Sequence, residues 1–327
     1  MECRGQSEKP KRYQNKRVVY DLLLKTSAQA TLKIAATQRH LGAKIGITSV
    51  LHTWGSAMMH HPHVHMIVPG GGLSPARGEE GDSPTGNKNG SKWVSCRPNF
   101  FVHVKLLSRL FRRLFREKLL ALHKQARLEF FGDLEGLSEH SNFAKFLAPL
   151  KKAEWVVYAK PPFAGLKAVL AYMSRYTHRV AISNSRLVKV ELEPAPAKAW
   201  GKVSFKYKDY RAGKDDKEGN FRKKVMTLDV HEFIRRFLLH VLPRSFHRIR
   251  YYGFLVNGGR AKNLAKAREL LGAPEPEPGD EETDGNDPDT APYPCPHCGD
   301  RMNIIATFEP DGLPRAPPDS PARRACS

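Results

Sequence analysis

His60-His61-Pro62-His63-Val64-His65-Met66-Ile67-Val68-Pro69, closed by Gly70, Gly71 and Gly72, is the stretch that decides how this chain folds. Side chains alternate between the two faces of an extended strand, so His63 and His65 share one face and Val64 takes the other. A His-apolar-His strand therefore offers two imidazoles to a single divalent ion. His61 has the same parity, but Pro62 cannot donate to a sheet ladder, so pairing is expected to begin after it. Taken alone, the stretch also reads as a polar, histidine-rich turn.

The residues before it favour the strand. Ile45-Gly-Ile-Thr-Ser-Val-Leu-His-Thr-Trp54 is rich in β-branched and aromatic residues and reads as a strand. Gly55 to His61 then forms the connection of a hairpin whose second strand is His63 to Val68. Such a hairpin brings His52 level with His63 and His65, and period two puts Val50, His52 and Trp54 on one face. Three imidazoles with open positions suit zinc or manganese, or a magnesium site completed by phosphate oxygens and water. Spacing alone does not choose among them.

A second constellation lies at Tyr172 and Tyr176, four apart in a helical pattern and so on one helix face. Cleaving a phosphodiester through a covalent step needs a nucleophile and charge stabilisation at the phosphate. A free phenol, with a pKa near 10, needs help to attack at neutral pH. A metal on His52, His63 and His65 would supply it, with Arg175, His178 and Arg179 close by in sequence. The competing reading of the pair is ordinary aromatic packing in a core.

The charge balance points to a polyanion. Against 33 acidic residues stand 54 basic ones, a formal net charge of +21. Eight of the acids, from Glu275 to Asp289, sit in one stretch without a basic residue, so the rest of the chain is more basic still. Arg244-Ser-Phe-His-Arg248-Ile-Arg250-Tyr-Tyr252 is both basic and aromatic, which makes Arg248 and Arg250 candidate nucleic-acid contacts. The basic face of the helix predicted over 106–131 (Arg109, Arg112, Arg113, Arg116) is a solvated face or a DNA contact.

Five scattered cysteines form no disulfide framework and fit a reducing compartment. Cys295-Pro-His-Cys298-Gly resembles one knuckle of a zinc site, but no second pair follows, so Cys295 and Cys298 make a partial site for Zn²⁺. No apolar run is long enough to span a membrane and the N-terminus lacks a secretory signal, which places the protein in the cytoplasm.

The organisation follows from composition. Residues 1–17 are basic and expected to be disordered; 18–272 hold the catalytic domain; 273–294 are an acidic linker; 295–327 are a Cys-x-x-Cys tail. Within the domain, helices are expected over 18–36, 106–131, 141–151, 165–177 and 229–242. Strands are expected over 45–54, 63–68, 93–101, 155–159, 180–182, 187–190, 203–207 and 224–228. This is an α+β pattern.

Taken together, Leu51-His-Thr-Trp-Gly55, the histidine stretch through Ser74, Tyr172-Met-Ser-Arg-Tyr-Thr-His-Arg-Val-Ala-Ile-Ser183, Phe237-Leu-Leu-His-Val-Leu-Pro-Arg244, His247-Arg-Ile-Arg-Tyr-Tyr-Gly253 and Cys295-Pro-His-Cys-Gly299 carry a resemblance. The chain resembles the rolling-circle transposases of the insertion sequence 91 family, of the His-hydrophobic-His nuclease superfamily and two-tyrosine type. The resemblance implies an antiparallel sheet with the metal histidines on a central strand and the tyrosine helix packed near them. By position it makes His63 and His65 metal ligands, with Mg²⁺ or Mn²⁺ as the ion, and Tyr172 and Tyr176 the catalytic tyrosines. His52 as third ligand rests on the hairpin alone.

It further implies a bacterial enzyme that nicks and joins single-stranded DNA through a 5′-phosphotyrosine intermediate. Family members open with a Cys-rich region and an apolar strand, and residues 1–17 match neither. The chain is therefore expected to be N-terminally truncated, with a gap in its central sheet. A catalytically inactive DNA-binding remnant is the alternative reading; a small-molecule hydrolase fits the charge poorly.

Overall fold

A computed structural model describes residues 2–3, 14–74, 92–98, 101–160, 162–163, 165–177, 181–191, 201–209, 223–273, 293–294 and 301–302. Chain contacts divide it into two compact units, Met1–Ala273 and Pro274–Ser327. The first unit runs β1 (Glu2–Cys3), α1 (Lys16–Ala36), β2 (Gly46–Trp54), β3 (His60–Ile67), β4 (Gly71–Leu73) and β5 (Trp93–Ser95). It continues through α2 (Val104–Lys124), α3 (His140–Leu147), β6 (Trp155–Val156), α4 (Leu166–Thr177), β7 (Leu187–Glu191), β8 (Lys202–Lys208) and β9 (Lys223–Asp229). It closes with α5 (Val230–Leu239), β10 (Ile249–Gly253) and α6 (Arg260–Leu271).

The fold is α+β with antiparallel sheets, as expected. The main sheet has the spatial order β10-β2-β3-β1-β6, and all neighbours in it are antiparallel. Its interior strand β2 is buried along almost its whole length, because β-branched and apolar residues serve both faces. One face is covered by α1 and α2, where Tyr20, Leu23, Leu51, Val64, Phe111 and Trp155 belong to one apolar cluster. Phe111 and Phe115 pack edge-on or tilted against Trp155, with centroids 5.0 and 5.3 Å away.

Helix α1 is buried over most of its surface, with Thr26, Ser27 and Thr31 among its buried residues. Two of its buried hydroxyls are satisfied locally: Ser27 Oγ donates to the Leu24 carbonyl at 3.1 Å and Thr31 Oγ1 to that of Ser27 at 2.9 Å. Helix α2 is amphipathic as predicted, with Leu107, Phe111, Leu114, Phe115 and Leu119 buried. It ends at Lys124, short of the predicted Phe131, because Ala126 takes a left-handed φ of 52° and caps it.

A second sheet, β7-β8-β9, packs against α5 around Met58, Ile182 and Phe205. Residues 181–182 precede it as a bend rather than the predicted strand; Val180 lies outside the described residues. A third pairing, β4 with β5, sits beside α6, a helix whose weakly patterned sequence gave no signal. In the second unit the described residues are two short antiparallel strands, β11 (Tyr293–Pro294) and β12 (Arg301–Met302).

Two differences from the sequence reading concern the main sheet. Strand β3 begins at His60, before Pro62, rather than after it. The register shifts between His52↔His63 and Trp54↔His60, so His61 and Pro62 face Thr53 alone in a bulge, where a missing N–H breaks no ladder bond. The slot beside β3, expected to lack its strand, holds Glu2 and Cys3, which lie within the stretch expected to be disordered.

The sheet's far edge depends on one glycine. Gly253 has φ +64°, and a Cβ there would lie 1.8 Å from the Ile45 carbonyl oxygen. Gly253→Ala is expected to cost at least about 1–3 kcal/mol in backbone strain alone. A urea midpoint equal to that of the wild type would show that β10 closes on β2 differently.

Candidate metal and tyrosine site

The site is built by strand pairing. His52 on β2 stands opposite His63 on β3, and Val50 opposite His65. Between them Leu51 opposes Val64, and both point into the core at 1% and 3% exposure. Alternation then sends His52, His63 and His65 to the other face. One possible ligand atom from each lies within 4.8 Å of the others. Ring centroids are 4.6 Å apart for His52 and His65, 4.8 Å for His63 and His65, and 5.6 Å for His52 and His63.

Each ring is held by its neighbours. His52 is buried and stacks on Trp54 at 4.9 Å with planes 15° apart. His63 Nδ1 sits 2.7 Å from the His61 carbonyl. A carbonyl only accepts, so Nδ1 carries the proton and Nε2 keeps its lone pair. Burial pushes the His63 pKa down to about 4, against the pull of that carbonyl, with the His61 and His52 charges adding to the fall. Burial and the His63 and His52 charges push His65 down to about 2. Both rings are neutral at neutral pH, the form that ligates.

One nitrogen from each of the three imidazoles lies within 4.8 Å of the others, near the reach of two metal–nitrogen bonds of roughly 2.1 Å each, so these residues fit a divalent ion. Imidazole donors suit zinc, manganese and similar ions, and the donor set does not fix which.

Helix α4 brings the phenol. Tyr172 Oη lies 3.0 Å from His65 Nδ1, with the rings T-shaped at 6.2 Å. Phe163 packs on Tyr172 at 5.0 Å, and Lys160 Nζ lies 5.4 Å from the centroid of its ring. Tyr176 and Arg175 are on the same helix, where the backbone alone is described. His178 and Arg179 lie outside the described residues, as do Cys295 and Cys298, which fall between β11 and β12.

Arg250 does not stand beside this site. Its guanidinium pairs with Asp21 of α1 and lies 5.1 Å from the Phe246 ring centroid. Half-buried Arg248 precedes β10, its carbonyl accepting from Leu51 N at 2.9 Å.

Several neighbours of the site had no signal in the sequence reading. Lys160 and Phe163 flank a Pro-Pro pair that read only as a strand stop. Tyr20 Oη lies 2.7 Å from His60 Nε2, and His60 stacks on buried His240 at 6.1 Å. His240 in turn bonds Thr53 Oγ1 at 3.2 Å and the Met58 carbonyl at 3.1 Å. His240 interrupts an apolar helical run, Leu238-Leu239-His240-Val241-Leu242, and that interruption was the available clue.

An antiparallel ribbon that sets three imidazoles beside a helix-borne phenol makes a candidate metal centre next to a tyrosine. Residues 46–263 match the family described as Y2_Tnp, "Putative transposase". "Putative transposase y4qJ" of Sinorhizobium fredii is 53% identical over 266 residues, covering 81% of this chain and 60% of that protein. "Transposase for insertion sequence element IS801" of Pseudomonas savastanoi pv. phaseolicola is 27% identical over 262 residues, covering 80% of this chain and 55% of that protein. The chain belongs to this transposase family, the rolling-circle type related to insertion sequences 91 and 801. It spans about three-fifths of the length of the curated relatives it matches. No solved structure matches it. Among the described residues no helix is long and apolar enough to cross a membrane.

The depressed histidine values make stability depend on pH. Between about 4 and the ordinary 6.5, the unfolded chain binds protons that folded His63 and His65 refuse. Stability should therefore fall as pH drops through that window and level off above it. In EDTA, thermal melting from pH 7 to 4.5 should fall more steeply for the wild type than for His63→Gln with His65→Gln. Parallel profiles would mean that these rings titrate normally.

Proposed function

We propose that this chain cuts and rejoins single-stranded DNA through a phosphotyrosine, with Tyr172 as the first nucleophile and a divalent ion held by His52, His63 and His65. The observation that carries the reading is the 3.0 Å contact between Tyr172 Oη and His65 Nδ1, one side chain from the imidazole cluster. Bound there, the ion would polarise the scissile phosphate. With His65 Nε2 turned to the triad, its Nδ1–H donates to the phenol oxygen and favours the phenolate.

In the proposed step an Oη–P bond forms and the P–O3′ bond breaks. The DNA 5′-phosphate stays on Tyr172, and the phenol proton ends on the departing 3′ oxygen. The ester conserves the bond energy, so a 3′-hydroxyl can attack it in reverse, and Tyr176 would serve the second strand. Arg175, His178, Arg179 and Arg248 are proposed phosphate contacts; Arg250 would reach DNA only by leaving Asp21. Lys160, beside the Tyr172 ring, adds positive charge where the phosphate would lie. Cys295 and Cys298 are proposed as part of a zinc site. A bacterial cytoplasm is the compartment that this reading expects.

The test is a 3′-labelled single-stranded oligonucleotide from the end of such an element, with Mn²⁺ or Mg²⁺. A labelled covalent adduct is expected, lost entirely in Tyr172→Phe and reduced at least about a hundredfold in His63→Ala with His65→Ala. Binding without adduct in any variant would favour a non-catalytic DNA-binding protein.

A further inference from the structure

We infer that a cavity at the opposite end of β2 from the histidines is a nucleotide-binding site, taking a phosphate together with a planar base. The cavity has a volume of about 590 Å³, within the range of small-ligand sites, and lies between the α1–β2 connection, β5 and the start of α2. Arg39 and Arg97 line it with His40 and His103, beside Phe101 and the free thiol of Cys96. No acidic residue lines it among the described residues. Neither Arg39 nor Arg97 makes an ion pair among them, and both are exposed, so their guanidinium donors are available for phosphate oxygens.

The start of α2 adds an independent reason. The helix is 21 residues long, its N-cap His103 makes no side-chain cap bond, and its first turn contains no acid. His103 and Leu106 at that end line the cavity, and the first N–H groups and positive dipole end of the helix lack the usual carboxylate or hydroxyl there. An anion in the cavity would take that place. Phe101 offers the flat apolar surface on which a base stacks, which free phosphate or sulfate would not use.

Leu41 and Phe101 of the cavity lining pack with Ile47 near the start of β2, and Ile47 is five residues from His52, or about 16 Å along an extended strand. The site is therefore separate from the chemistry. If the nucleotide belongs to a DNA strand, the inference rests on the proposed function and gives it a second hold on that strand. A free nucleotide is the other source of the same chemistry.

Cys96 provides a local reporter. Burial raises its thiol pKa, so alkylation is followed at pH 9, and peptide mass spectrometry separates it from Cys3, Cys295, Cys298 and Cys326. The full-length protein is incubated with a fluorescent oligothymidylate, whose binding is followed by anisotropy, or with millimolar dTMP. Oligothymidylate at saturation should slow Cys96 alkylation at least fivefold. Arg39→Ala with Arg97→Ala should weaken its binding about tenfold and flatten the logarithmic salt slope by about 1.4, two contacts at roughly 0.7 each. Protection by dTMP alone would assign the cavity to a free nucleotide. Saturable oligonucleotide binding with unchanged Cys96 rates under every probe would overturn the cavity assignment and leave the DNA reading standing. Neither binding nor protection with any probe would overturn both.

Discussion

The structure depends on the register between β2 and β3. Pairing Leu51 with Val64 in the core leaves His52, His63 and His65 no choice of face, since alternation is a property of the pleat. A slip of one residue would bury imidazoles against Tyr20 and Leu23 and turn Val64 to the phenol. The bulge at His61 and Pro62 protects this register, because a proline is tolerated there and not at a laddered position. The apolar face and the chemical face are two consequences of one alignment.

That alignment also explains the electrostatics. Rings held on a strand under a helix are shielded from water, and each resists a second charge beside the first. His63 and His65 are therefore neutral near pH 7. The site thus presents lone pairs, and positive charge enters from Lys160 at its rim. A negatively charged backbone is accommodated by such a site far better than by one lined with carboxylates.

Much of this was legible in the sequence because it is local. The alternation of His63-Val64-His65, the β-branched run before it and the four-residue spacing of Tyr172 and Tyr176 each speak through a few adjacent residues. What the sequence hid depends on distant pairs. Asp21 with Arg250, Tyr20 with His60, and Thr53 with His240 join residues far apart in the chain, and no periodicity marks them. The start of β3 lies before Pro62 because a bulge suspends the ladder rule there, and that bulge depends on the register with Thr53 of β2. The cavity beside Cys96 was invisible because three separate segments wall it, none with a motif of its own.

The pairing of β10 with β2 carries a further consequence. Ile249 lies opposite Val50, so the central sheet joins parts of the chain separated by about two hundred residues. During synthesis β2 leaves the ribosome long before its neighbour β10 exists, exposing a hydrophobic edge. The histidine ribbon can form as an early hairpin, whereas the finished sheet must await nearly the last residue of the first unit. Assembly of this protein is thus timed by its C-terminal side, and the nascent chain is most vulnerable to aggregation in the interval.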